Sequence, residues 1–222
     1  PFVFIQFSAF LFGILAVGIT YFICKLTSMG KDALLILVLA GIIVSTLFSS
    51  FITLAKYVAD PYSKLPEITY WLMGGLSAVT TDDVLLLIIP FACGIIPLFL
   101  LRWQLNAMAF GDEEAKALGL NTSRLRLIYI VSATLLTAAS VAVCGMVGWV
   151  GLVIPHLTRM LVGPNFKYLM PASFLVGCIF LLLVDNLART MFTMEIPLGI
   201  LTSIIGAPFF VYLLLKRKKG WL

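Results

Sequence analysis

Charge is scarce in this chain. Only 11% of its 222 residues are Asp, Glu, Lys or Arg, while 62% are apolar; a soluble domain holds about a quarter charged residues and about half apolar ones. An excess of apolar side chains on this scale cannot be hidden in one water-excluding core, so the surrounding solvent must be lipid. Histidine is rarer still. His156 is the single one, and no second His or Cys stands at ligand spacing from it, so no metal site and no cofactor are expected. The chain has no HExxH, no GxSxG and no P-loop, which removes the common hydrolase and nucleotide-binding chemistries. Any ATP used must be bound by another chain. The four cysteines, Cys24, Cys93, Cys144 and Cys178, form no CxxC pair and lie in or beside apolar runs. They read as small buried apolar residues that say nothing of redox compartment. The net charge of +5 is not a nucleic-acid signature, because the basic residues sit in short loops and build no continuous face. There is no internal repeat, and Pro1 follows no Met or basic leader, so the first segment reads as a chain that has lost its beginning.

Long uncharged runs are abundant. Pro1 to Cys24, Ala33 to Ala55, Val84 to Leu101, Tyr168 to Val184 and Ile196 to Leu215 each approach the length that crosses about 30 Å of hydrocarbon. Leu127 to Thr158 is too long for one crossing: its 32 residues would run about 48 Å as a straight helix. Gly145, Gly148 and Gly151 interrupt it, and glycine both weakens a helix interior and permits a sharp turn. The stretch is therefore predicted to be two spans joined by a tight turn near 145–151. The expected fold is all-α, a polytopic membrane helical bundle of seven spans, with residues 1–222 forming one transmembrane domain.

Seven spans put the termini on opposite sides. With the C-terminus cytoplasmic, that side receives 12 of the 15 basic residues, and only Lys56, Lys64 and Arg189 lie outside, as the positive-inside rule requires. Treating 127–158 as one span moves every later loop and destroys the bias. Outside, Asp60 to Glu67 leads into Tyr70-Trp71-Leu72-Met73-Gly74-Gly75, which reads as a short interfacial helix with Pro66 in its first turn and Gly74 at its end. Lys216-Arg217-Lys218-Lys219 reads as a stop-transfer anchor for anionic lipid headgroups.

Inside, residues 103–126 form the longest connection. Gly111-Asp112-Glu113-Glu114-Ala115-Lys116-Ala117-Leu118-Gly119-Leu120 places three acids at a helix start and a glycine at its end. So short a helix is unstable alone. It is either a connector packed on its own protein or a knob for a soluble partner. Asp185 and Arg189 share a helix face, forming either a local ion pair or a basic contact for an acidic partner. Ser45, Thr46, Ser49 and Ser50 either line a polar path or pack small against a neighbour. His156 reads as a satisfied structural histidine.

These segments, in this order, resemble the permease family of iron-siderophore, haem and vitamin B12 ABC importers. The resemblance rests on Tyr70 to Gly75, Gly111 to Gly119, Gly148-Trp149-Val150-Gly151-Leu152-Val153-Ile154-Pro155-His156, Asp185 to Arg189, and Glu195-Ile196-Pro197-Leu198-Gly199 with Ile205-Gly206-Ala207-Pro208-Phe209. It implies a roughly ten-span fold of which the N-terminal three are missing here, a homodimer, two ATP-hydrolysing subunits on the cytoplasmic side, and an extracytoplasmic substrate-binding protein. It also implies a prokaryotic plasma membrane location. By the same resemblance, 103–126 is an ATPase-coupling region carried by Gly111, Asp112, Glu113, Glu114, Ala115, Leu118 and Gly119. Arg189 meets the binding protein, and a cytoplasmic gate lies near the span beginning at Ala33, where Lys31-Asp32-Ala33 gives no matching pattern. Two other readings are an ion-driven secondary transporter, which calls for ionisable residues in mid-membrane, and a membrane anchor without transport.

Overall fold

The computed structural model describes residues 2–27, 33–191 and 193–217. Lys31 and Asp32, beside the expected gate, and Lys218 and Lys219 of the basic run lie outside the described residues. Ten helices and no strand occur among the described residues: α1 (Phe2–Thr27), α2 (Ala33–Val58), α3 (Lys64–Met73), α4 (Thr81–Leu100), α5 (Arg102–Met108), α6 (Asp112–Ala117), α7 (Thr122–Cys144), α8 (Val150–Val162), α9 (Phe166–Thr190) and α10 (Leu198–Arg217).

Five of them, α1, α2, α4, α7 and α9, are long and apolar enough to cross a membrane, where seven spans were expected; α8 and Leu198–Leu213 of α10 are shorter apolar stretches. The 127–158 stretch is divided as expected, with α7 ending at Cys144 and α8 starting at Val150. The 13 residues of α8 rise only about 20 Å. The non-helical stretch 145–149 precedes it. It runs beside α10 from Gly199, where a Cβ would stand 3.0 Å from the Met146 carbonyl oxygen, to Gly206, where it would stand 2.6 Å from Trp149 Cβ. Those glycines are seven residues apart, or about 10 Å along the helix, so 145–149 follows α10 over about that distance.

Two groups of helices result. α1 packs on both α2 and α7, and α7 packs on α4; separately, α8 and α10 pack on α9. The groups are tied at their ends, through α3 with α10 at one and α5 with α9 at the other. Val184, Ala188, Leu198 and Leu201 form the buried cluster of the second group, with Leu76 and Val147 against it. The accessible surface, 15090 Å², exceeds by about half the roughly 10,000 Å² of a soluble monomer of this mass. The excess is apolar side chain on helix flanks, as lipid-facing helices require. Cys93 and Cys178 are part of that outer surface, contrary to the expectation that all four cysteines are buried. An apolar solvent makes exposure of a small apolar residue harmless.

Candidate functional sites at the two ends of the bundle

At one end, α5 and α6 fill the long connection. α5 is a helix that the pattern of 103–126 did not separate from the connection, and α7 already begins at Thr122, inside that range. α6 has six residues and is held from outside itself. The Arg126 guanidinium donates to both carboxylate oxygens of Asp112, at 2.8 and 2.7 Å, and Ala115 is 0% exposed. Gly119 takes φ 80° after the helix, where the Leu120 N–H returns to the Ala115 carbonyl at 3.1 Å, a closing pattern that glycine makes inexpensive. Glu113 and Glu114 stay exposed. Beside them Phe110 and Leu118 are 79% and 64% exposed. The helix is thus both packed on its own protein and offered outward.

The Tyr129 hydroxyl donates to the Leu101 carbonyl at 2.9 Å, fixing α7 to the α4–α5 junction. Asn106 of α5 reaches α9. Its Nδ2 donates to Asn165 Oδ1 at 3.2 Å and its Oδ1 accepts from the Phe166 N–H at 2.9 Å. Asn165 was readable as a helix cap after Gly163-Pro164; its pairing with Asn106, 59 positions away, leaves no trace in a single sequence.

At the opposite end three backbones converge. Gly74, at φ 70°, closes α3; Gly145, at φ 66°, closes α7; Gly199 opens α10. A Cβ on Gly74 would stand 2.5 Å from the Met146 carbonyl oxygen, and one on Gly199 2.5 Å from that of Met73. The Gly75 N–H donates to the Cys144 carbonyl at 2.9 Å and the Leu198 N–H to the Gly74 carbonyl at 3.0 Å. Irregular backbone at membrane depth is tolerated when protein surrounds it in this way. Around the junction lies a cavity of about 890 Å³, whose charged lining residues are Lys64, Glu67, Asp185, Arg189 and Glu195.

Arg189 sits at the end of α9 with two acids. Its Nε donates to Asp185 Oδ2 at 2.9 Å, its Nη2 to Asp185 Oδ1 at 3.3 Å, and Glu195 lies 4.0 Å from Nη1. The expected local ion pair therefore exists, and Arg189 remains exposed. The Ile196 N–H donates to the Ala188 carbonyl at 3.1 Å, pinning the acidic loop to α9. The same end holds a buried pair that charge counting missed. Gln6 Nε2 donates to Asp83 Oδ1 at 2.6 Å, while Asp83 Oδ2 accepts from the Thr80 N–H at 2.9 Å and the Thr80 hydroxyl at 2.7 Å. A Thr-x-x-Asp spacing was visible as a possible capping box; the partner on α1 was not.

Ser45, Thr46, Ser49 and Ser50 lie on the exposed side of α2, and Thr46 and Ser50 donate to their own helix, to the Ile42 and Thr46 carbonyls at 2.8 and 3.0 Å. His156 Nδ1 meets the Leu152 carbonyl at 2.8 Å, and its ring stands edge-on to Phe210 at 5.5 Å. No group of three metal-ligating side chains occurs among the described residues.

Comparison with known proteins agrees with this geometry. The chain is 45% identical over 190 residues to the molybdate import system permease protein MolB of Haemophilus influenzae, covering 86% of this chain and 56% of that one. It is 36% identical over 208 residues to the hemin transport system permease protein HmuU of Yersinia pestis, covering 92% and 61%. The chain thus spans under two thirds of the length of these relatives. A solved structure described as an inward-facing, metal-chelate-type ABC transporter superposes with a TM-score of 0.90 at 40% identity, over 97% of this chain and 68% of that one. The profile of the FecCD transport family matches residues 1–216, and with these likenesses the chain, a multi-pass membrane protein, belongs to the FecCD transport family.

Proposed function

We propose that the chain is the membrane permease part of an ATP-driven importer, moving a metal chelate or a related oxyanion inward by alternating access along the axis of a homodimer. The substrate class spans ferric siderophores, haem, cobalamin and molybdate, with a ferric siderophore first. The α5–α6 end is cytoplasmic, together with the C-terminus, and docks ATP-hydrolysing subunits; the Arg189 end meets a substrate-binding protein outside. The observation that carries this reading is α6. A six-residue helix, anchored by Asp112 and Arg126, presents Glu113, Glu114, Phe110 and Leu118 to a partner at the end opposite Arg189. Phe110 and Leu118, 79% and 64% exposed at this end, are the apolar contacts such a partner would cover. Hydrolysis belongs to the partner, and this chain supplies the path.

Co-purification from membranes tests the reading. Glu113→Lys with Glu114→Lys should strip an ATPase subunit from the permease while leaving the permease in the membrane. Vesicle uptake should require ATP and the binding protein; uptake driven instead by an ion gradient would overturn the proposal in favour of a secondary transporter.

A further inference from the structure

We infer that Asn106 and Asn165 form the joint through which the α5–α6 region moves α9, and with it the Arg189 end. The inference rests on the proposed docking of ATPase subunits at α6. Two observations of the fold lead to it.

The α5–α6 region is attached to each helix group differently. Toward α4 and α7 it is joined through the chain itself, by Arg126 Nη2 shared between the two Asp112 oxygens, and by the Tyr129–Leu101 bond. Toward α9, the hydrogen bonds found among the described residues come from a single side chain. Asn106 uses both ends of its amide, donating to Asn165 Oδ1 and accepting from the Phe166 N–H. Phe166 is the first residue of α9, and its N–H is one of the donors that a helix cannot satisfy internally. Asn165 caps the next position by accepting from the Lys167 N–H at 3.0 Å. A residue of α5 therefore completes the cap of α9. Displacing α5 must either carry the start of α9 along or leave that N–H without its partner.

α9 then carries the displacement lengthwise. It is one continuous helix from Phe166 to Thr190, about 37 Å long. Asn165 precedes its first residue, and Asp185 and Arg189 stand on its last turns. The two ends proposed to meet partners on opposite sides of the membrane are thus the two ends of one rod. Asn106 and Asn165 are positioning residues in this scheme; neither touches substrate or nucleotide.

Distance measurement between spin labels tests the joint without needing a substrate. In the full transporter with its ATPase subunits, and with the native cysteines replaced, labels at Val58→Cys and Thr190→Cys report the α2 and α9 ends. Adding MgATP and vanadate should shift the distance in the parent. Asn106→Leu keeps bulk but removes both bonds, and should abolish most of that shift. ATPase subunits should stay bound, because Asp112, Glu113 and Glu114 are untouched. Asn165→Asp keeps an acceptor for both the Asn106 amide and the Lys167 N–H, and should retain the shift; its behaviour separates the joint from a general loss of folding, as does the thermal unfolding of each variant in detergent. A full shift in folded Asn106→Leu would overturn the joint alone. Absence of ATPase binding, or of any shift in the parent, would instead overturn the docking reading and the joint together.

Discussion

Replacing Gly74 with alanine should injure this protein twice over, and two other glycines separate the injuries. Gly74 has φ 70° and ψ 141°, outside even the left-handed helical well, where a Cβ costs about 1–3 kcal/mol. It also has the Met146 carbonyl oxygen 2.5 Å and its carbon 2.8 Å from where that Cβ would stand; such overpacking costs about 1–3 kcal/mol. Gly119 has φ 80° and nothing within 4 Å, so Gly119→Ala bears the dihedral cost alone. Gly199 has an ordinary φ but stands 2.5 and 3.0 Å from the Met73 and Met146 carbonyl oxygens, so Gly199→Ala bears the steric cost alone. Alanine restricts the unfolded chain by about 0.4–1 kcal/mol at each position, a gain that cancels between variants. The expected order is Gly74→Ala worst, at about 2–6 kcal/mol before that common gain, and at least as large as the other two combined. Reversible denaturant unfolding of the purified permease in micelles measures all three. Equal losses for Gly74→Ala and Gly119→Ala would refute the close contact of Gly74 with 145–149, and an unchanged Gly199→Ala would refute that of α10.

Other expectations concern charge. Asp83→Ala removes the capping box of α4 and leaves the Gln6 amide facing an apolar gap, for a loss of about 2–4 kcal/mol in the same unfolding assay; Asp83→Asn, which keeps an acceptor for Thr80, should lose less. Asp185→Asn removes the nearer of the two acids from Arg189 and should tighten binding of the substrate-binding protein in a pull-down, whereas Arg189→Gln should weaken it. Asp60, outside the spans, is held below the ordinary carboxylate range by the Ser63 hydroxyl, which donates to Oδ2 at 2.5 Å. A lowered pKa means that the turn's stabilisation is complete above the usual Asp value and is lost as pH falls through the lowered one. The Ser63 amide signal should therefore stay constant from neutral pH to about pH 4 and move only below it.

The spans and the break at 145–149 were legible because hydropathy, charge alternation and glycine spacing each act locally in sequence. α6 and its glycine stop were legible for the same reason, since three acids and a terminal glycine describe a short helix. What escaped depends on distance. Asn106 with Asn165 and Gln6 with Asp83 are 59 and 77 positions apart, and an isolated polar residue carries no mark of the helix it will meet. Trp149 escaped differently. It adopts φ 67° at the start of α8, a conformation unusual for a bulky residue, and its side chain is seated against Gly206. Its carbonyl accepts from the Leu152 and Val153 N–H groups at 3.0 and 2.8 Å, and α10 packs against its ring.

The break before α8 bears on how the chain is made. A 13-residue helix is too short to enter a bilayer as a separate span, so α7 and α8 must insert together as a helical hairpin. During synthesis the bared peptide groups of 145–149 then face the membrane until a cover arrives. α3 is already made by then, but Gly199 and Gly206 belong to α10, which follows α8 and α9 in the chain. The irregular crossing is thus sealed only once α10 has followed α9 into the bilayer, and a chain stalled before α10 would carry an open polar seam.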